Sequence, residues 1–156
     1  MDKTIQELLN DRGYDISTLV INDTVINVTH EDHECVIVYE VDNKLRKNNI
    51  FDIITEYNIE EHDKLILILN NKLNIPKDIH SNIEIFIKPF INITKHSLVP
   101  KHSLLTNEEV DELKLEVNKL PLILRKDPVI RWYNFKPGGV CKIDRKNGSI
   151  FYRLIK

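Results

Sequence analysis

The chain has 156 residues, of which 42% are apolar and 29% charged, and its formal net charge is −2. That balance excludes intrinsic disorder, and the length suits one ordinary domain or two small ones. The longest aliphatic run, residues 65–69, is far too short for a membrane span, and Met1-Asp2-Lys3-Thr4-Ile5-Gln6 lacks the apolar core of a signal peptide, so a soluble intracellular protein is expected.

In chain order, residues 2–12 put Ile5, Leu8 and Leu9 on one helical face behind Asp2 as N-cap, and Gly13 suits the left-handed residue that closes such a helix. Residues 19–28 and 34–41 are rich in Val and Ile, predicting two paired strands joined through the polar His30-Glu31-Asp32-His33. Ile50, Phe51, Ile53, Ile54 and Tyr57 are spaced for a helix ending near Asn58. Residues 64–69 form a nearly continuous apolar run, the pattern of a strand covered on both faces, and residues 83–87 are a further strand. Residues 73–82, with Pro76, connect them. Strands interleaved with helices predict an α/β sandwich here.

Local signals are stronger beyond residue 92. Thr106-Asn107-Glu108-Glu109 is a capping-box pattern that predicts a helix over residues 107–118. Asp127 before Pro128 sets an N-cap with proline at the first helical position, predicting a short helix to Tyr133 that Asn134 closes. Lys136-Pro137-Gly138-Gly139 is a turn. Residues 140–145 and 149–155 flank Lys146-Asn147-Gly148, and an Asn-Gly pair between apolar strands predicts a terminal β-hairpin. Alternation would put Val140, Lys142 and Asp144 on one face, with Cys141, Ile143 and Arg145 on the other.

Leu98-Val99-Pro100-Lys101-His102, Leu120-Pro121, Asp127-Pro128-Val129, Lys136-Pro137-Gly138 and Tyr152-Arg153 occur in that order over some 60 residues. The series resembles the H-type component of archaeal RNA polymerase and its eukaryotic counterpart, the small component common to the three nuclear RNA polymerases. Asp11-Arg12-Gly13-Tyr14 after a helix resembles the opening of the eukaryotic N-terminal jaw domain, which archaeal members lack. The resemblance implies a shortened jaw-like α/β domain over residues 1–92 and a small mixed α+β assembly domain over residues 93–156 with a terminal hairpin. It further implies a non-catalytic core subunit that joins the largest polymerase subunit and supports the downstream-DNA jaw during transcription. The shortened jaw, with a composition that contains no alanine and abounds in Ile, Asn and Lys, suggests an AT-biased genome and a polymerase encoded by a large DNA virus. The protein would then occupy the virion and host cytoplasm, and otherwise the nucleus.

The charge distribution suggests two modules with different partners, because residues 1–92 carry −8 and residues 93–156 carry +6. By resemblance, His96, Leu98, Val99, Pro100 and His102 are expected at the subunit interface. Arg125, Arg131, Tyr133, Arg145, Tyr152 and Arg153 join them as residue types enriched at protein contacts. Lys44, Arg46 and Lys47 form the one local basic cluster of the acidic half and are the candidates for DNA contact.

The competing class is a free-standing nucleic-acid-binding or nuclease-like factor. Lys136, Lys142, Arg145 and Lys146 could line a phosphate-binding surface of the hairpin, and Asp42-x-Lys44 with Asp23 upstream imitates a Mg²⁺ nuclease pattern. The aromatic residues are not interleaved as stacking platforms, and Asp-x-Lys is short in so charged a chain. His30, His33 and Cys35 lack a fourth zinc ligand, and the four glycines serve as caps and turns, not as a phosphate loop. No catalytic residue, metal, cofactor, membrane or small-molecule substrate is therefore expected. Cys35 and Cys141, inside apolar runs of different halves, are expected to be buried free thiols of a reducing compartment.

Overall fold

The computed structural model describes residues 2–22, 25–30, 33–41, 55, 64–70 and 82–156. These belong to two compact units, Met1–Ile91 and Asn92–Lys156. Each contains a mixed β-sheet with few helices among the described residues, so the architecture is mixed α+β. No described helix is long and apolar enough to cross a membrane.

The first unit begins with α1, Lys3–Asp11, whose Asp2 carboxylate accepts from Thr4 N at 2.8 Å and which buries Ile5, Leu8 and Leu9. Its end is a Schellman closure, with Gly13 N donating to Asn10 O and Tyr14 N to Leu9 O, both at 3.0 Å. Gly13 takes φ +81°, which a β-carbon would oppose. The sheet runs β1-β2-β3-β4-β5, comprising Val20–Asn22, Val25–His30, His33–Val41, Lys64–Leu69 and Ile83–Ile87. β2 runs antiparallel to both β1 and β3, and β3, β4 and β5 are parallel. Leu65 to Leu69 of β4 are all buried, as the unbroken apolar run requires.

Two expectations are corrected here. Residues 19–28 hold two strands, because Val20 pairs with Asn27 and Asn22 with Val25, which sets the segment against itself as an antiparallel pair. His30 and His33 end their strands as a ladder pair, so they belong to the sheet and not to its connection. The helix expected at residues 50–58 lies outside the described residues except for helical Thr55, and the connection expected at 73–82 lies outside them except for Asn82.

Arg12 ties α1 to β5. Its guanidinium donates to both carboxylate oxygens of Glu84, at 3.0 and 2.9 Å, and lies 5.9 Å from the Phe86 ring centroid. The Arg12 side chain is only 3% exposed, so this is a desolvated bidentate pair.

The second unit has sheet order β6-β8-β9-β7, comprising Lys101–Leu104, Val140–Asp144, Ile150–Ile155 and Leu122–Ile123. The pairs β6–β8 and β8–β9 are antiparallel, whereas β7 joins β9 in parallel. Ile130, Cys141, Ile143 and Ile155 form the core cluster, with Ile123 and Phe135 packed on it. A β-carbon on Gly139 would come within 2.8 Å of Leu104 Cδ1 and 3.3 Å of Lys136 O, so glycine lets the chain pass closely beneath β6. Val140 and Cys141 are both buried, so β8 is covered on both faces where it starts.

The helix after Thr106, α2, is Asn107–Glu112, six residues shorter at its C-terminus than expected. The capping box forms in full, but Lys114 N bonds Asp111 O and Leu115 N bonds Val110 O, a Schellman closure around Lys114 at φ +50°. Because α2 buries no residue, no packing rewards its continuation. The third helix, α3, spans Pro128–Tyr133, with Asp127 Oδ1 accepting from Val129 N and Ile130 N and with Asn134 left-handed at φ +54°.

Replacing Arg12 by Ala should lower stability to urea by about 3 kcal/mol, because it strands the mostly covered Glu84 carboxylate and removes the stem packing. Arg12→Ala/Glu84→Ala should recover part of that loss. A single variant as stable as the parent would contradict the pair's role.

Candidate functional site

The pairing of β6 with β8 sets Lys101 opposite Asp144 and His102 opposite Ile143. Residues 97–100 are thereby drawn alongside the turn at residues 145–148. That turn has Gly148 N donating to Arg145 O at 2.9 Å and Arg145 N donating to Ser149 O at 3.0 Å. Gly148 takes φ +82° whereas Asn147 does not enter the left-handed region. The hairpin is therefore a three-residue loop with a glycine bulge, not a two-residue Asn-Gly turn. Asn147 instead uses Oδ1 to accept from Ser149 N and Oγ, at 3.1 and 2.6 Å.

Two adjoining clefts result. One, of about 400 Å³, lies between Leu98, Val99 and Pro100 on one side and Arg145, Lys146 and Asn147 on the other. The second, of about 340 Å³, shares Val99 and Pro100 and reaches Thr94, His102, Val129 and Tyr133. The strand-entry segment is held by its own imidazoles. His96 Nδ1 accepts from Leu98 N at 3.2 Å, and His102 Nδ1 donates to Pro100 O at 2.9 Å. Leu98 is left 85% exposed. Across the cleft the Arg145 guanidinium lies 4.4 Å from the Phe151 ring centroid, and Tyr133 stacks on Phe135 at 5.1 Å.

The expected interface residues are thus partly gathered. Leu98, Val99, Pro100, His102, Tyr133 and Arg145 line the clefts, with His96 bracing Leu98. Arg153 lies elsewhere: its Nη1 donates to Leu122 O at 3.1 Å, on the β7 side of the sheet. Arg125 follows β7, its backbone N bonded to Lys156 O. Tyr152 faces Lys142 across the hairpin, and half-buried Arg131 lies on α3 without lining either cleft. Lys142 pairs with Asp144 at 3.4 Å and Lys136 donates to Asn134 Oδ1 at 3.1 Å, and neither lines the clefts that hold Arg145 and Lys146. Lys44, Arg46 and Lys47, like Asp23 and Asp42, lie outside the described residues. Among the described residues, no three His, Cys, Asp or Glu side chains gather as metal ligands.

Residues 91–155 match the family described as RNA polymerase Rpb5, C-terminal domain. The DNA-directed RNA polymerase subunit Rpo5 of Methanocaldococcus jannaschii is 38% identical over 73 residues, which cover 42% of this chain and 94% of that protein. The chain belongs to the Rpb5/Rpo5 family of RNA polymerase subunits. The rpabc1 subunit of RNA polymerases I, II and III from Dictyostelium discoideum is 47% identical over 72 residues, spanning 41% of this chain and only 36% of that relative. Subunit 5B of Arabidopsis thaliana RNA polymerases IV and V aligns at 27% identity with 98% of this chain and 87% of its own length. That alignment runs to 192 positions against a chain of 156, so the plant protein carries segments absent here. The Rpb5 match encloses both clefts, and the Rpo5 relative is little more than this unit.

Lys101, Thr94 and Asn147 were not singled out from the sequence as contact residues. Lys101 sits inside the Leu-Val-Pro-x-His segment, yet only pairing across some 40 residues reveals that it shares a cleft with Arg145 and Lys146.

Both free thiols are buried, Cys35 in β3 and Cys141 in the Rpb5-like core. Burial pushes the Cys141 thiol up from 9.0 to about 11, with the Asp127 carboxylate adding to the effect. Burial likewise raises Cys35 to about 11. A folded pKa above the unfolded one means that the thiol contribution to stability is intact below pH 9 and is lost as pH rises towards 11. Native protein at pH 8 should therefore label negligibly with dithionitrobenzoate, and both cysteines should react once urea unfolds it. Rapid native labelling of Cys141 would contradict the packing of β8.

Proposed function

We propose that the chain is a non-catalytic core subunit of a multisubunit DNA-directed RNA polymerase, gripping the largest subunit through residues 93–156. The observation that carries this reading is the family match over residues 91–155, a span that takes in the strand-entry segment, α3 and the hairpin. An archaeal polymerase subunit consisting almost wholly of that unit supports a role in assembly for the unit by itself. The surface agrees: Tyr133 and Arg145, residue types favoured at protein contacts, line clefts beside the exposed Leu98.

In the same reading, the N-terminal unit is a shortened jaw beside downstream DNA, with Lys44, Arg46 and Lys47 as its contacts. The alignment with the longer plant subunit supports the shortening. The alanine-free, Ile- and Asn-rich composition supports a polymerase encoded by a large DNA virus, located in the virion and host cytoplasm. Nucleotide addition falls to the large subunits, and this chain alone has no activity.

Tagging the chain in its source and purifying the transcribing enzyme tests the proposal. The chain should co-elute with the largest subunit in equimolar amount and remain with it through size exclusion. A predominantly free pool that shifts or cuts DNA would overturn it.

A further inference from the structure

The two clefts pair an apolar floor with a surplus of positive charge. Val99 and Pro100 form the shared floor, and Leu98 projects at the lip with 85% of its surface in water. Lys101, Arg145 and Lys146 stand around it, and among the described residues none of them meets a carboxylate within ion-pair distance. The one acid on the lining, Asp144, is engaged by Lys142. Outside residues 106–119, which hold five of the seven acids of residues 93–156, this unit is strongly basic.

Such a site favours a ligand that supplies carboxylates at the rim and an apolar side chain at the centre. A nucleic acid would meet the cations but would leave Leu98 uncovered, and Tyr133 is already stacked on Phe135. Resting on the polymerase-subunit reading above, we propose that the adjoining clefts seat an extended acidic segment of a neighbouring polymerase subunit. One apolar side chain of that segment lies against Leu98, Val99 and Pro100, and its carboxylates lie towards Lys101, Arg145 and Lys146. The braces at His96 and His102 keep the cleft wall in place before the partner arrives, which limits the ordering that binding demands.

The test uses the assembled polymerase with the photoreactive substitution Asn147→p-benzoylphenylalanine. Irradiation followed by peptide mapping should give a crosslink to a net-acidic, apolar-containing segment of another subunit. In parallel, Arg145→Glu/Lys146→Glu should reduce retention in the complex about tenfold at moderate salt, whereas Lys126→Glu/Lys136→Glu, an equal charge change at exposed lysines off the clefts, should alter it less than about twofold. Crosslinks to DNA, or to a neutral or basic segment, overturn the proposal while leaving the chain a polymerase subunit. So does equal loss in the two double variants. A polymerase lacking the chain altogether overturns the functional reading as well.

Discussion

The pairing of β6 with β8 is the constraint on which the C-terminal unit depends. Four ladder pairs, from Lys101 with Asp144 to Leu104 with Cys141, fix where a segment near residue 100 lies against a turn near residue 146. A slip of one residue would turn His102 and Leu104 to the other side of the sheet and separate the two walls of the clefts. The register is secured from below, because Cys141 and Ile143 of β8 are locked into the core by Ile130 and Ile155. Gly139 adds to this by admitting Leu104 so close to the backbone that a larger residue would displace it.

This unit achieves order with few fully buried residues. Val129, Ile130, Trp132, Val140, Cys141, Ile143 and Ile155 are its buried apolar set, whereas Leu98, Leu104, Leu113, Leu122, Leu124, Ile150 and Phe151 remain substantially exposed. A domain of about 65 residues has a high ratio of surface to volume, and its core provides only a narrow margin of stability. Side-chain caps and left-handed closures at its helix ends each contribute about 1 kcal/mol and are therefore a sizeable share of that margin. Apolar surface left outside is then available to a partner. This gives a physical reason why the unit suits assembly into a larger enzyme.

What the sequence revealed and what it hid follow the same division between local and distant interactions. Asp2, Thr106, Asp127, Asn134 and Gly13 act within a few residues of themselves, and each was legible as a cap or closure. The continuous burial of β4 was legible from its unbroken apolar run. The strands β6 and β7 were not, being four and two residues long and without alternation, because they exist only through pairing with β8 and β9. The capping box marks where α2 starts but holds no information on where it stops, and the helix, burying no residue, ends at Glu112. The motif order marked the region of the candidate site, but the cleft itself joins residues some 45 positions apart. Arg153 and Arg125, attractive by type, proved to lie towards β7 for the same reason.

Amide hydrogen exchange, compared between the free chain and the chain within its polymerase, tests the central claim most directly. If residues 93–156 dock through the wall that β6 and the hairpin build together, residues 94–102 and 144–148 will gain protection jointly on assembly, while α2 changes little. Unchanged exchange in both segments, with protection gained only at α2 or along β7, would contradict it.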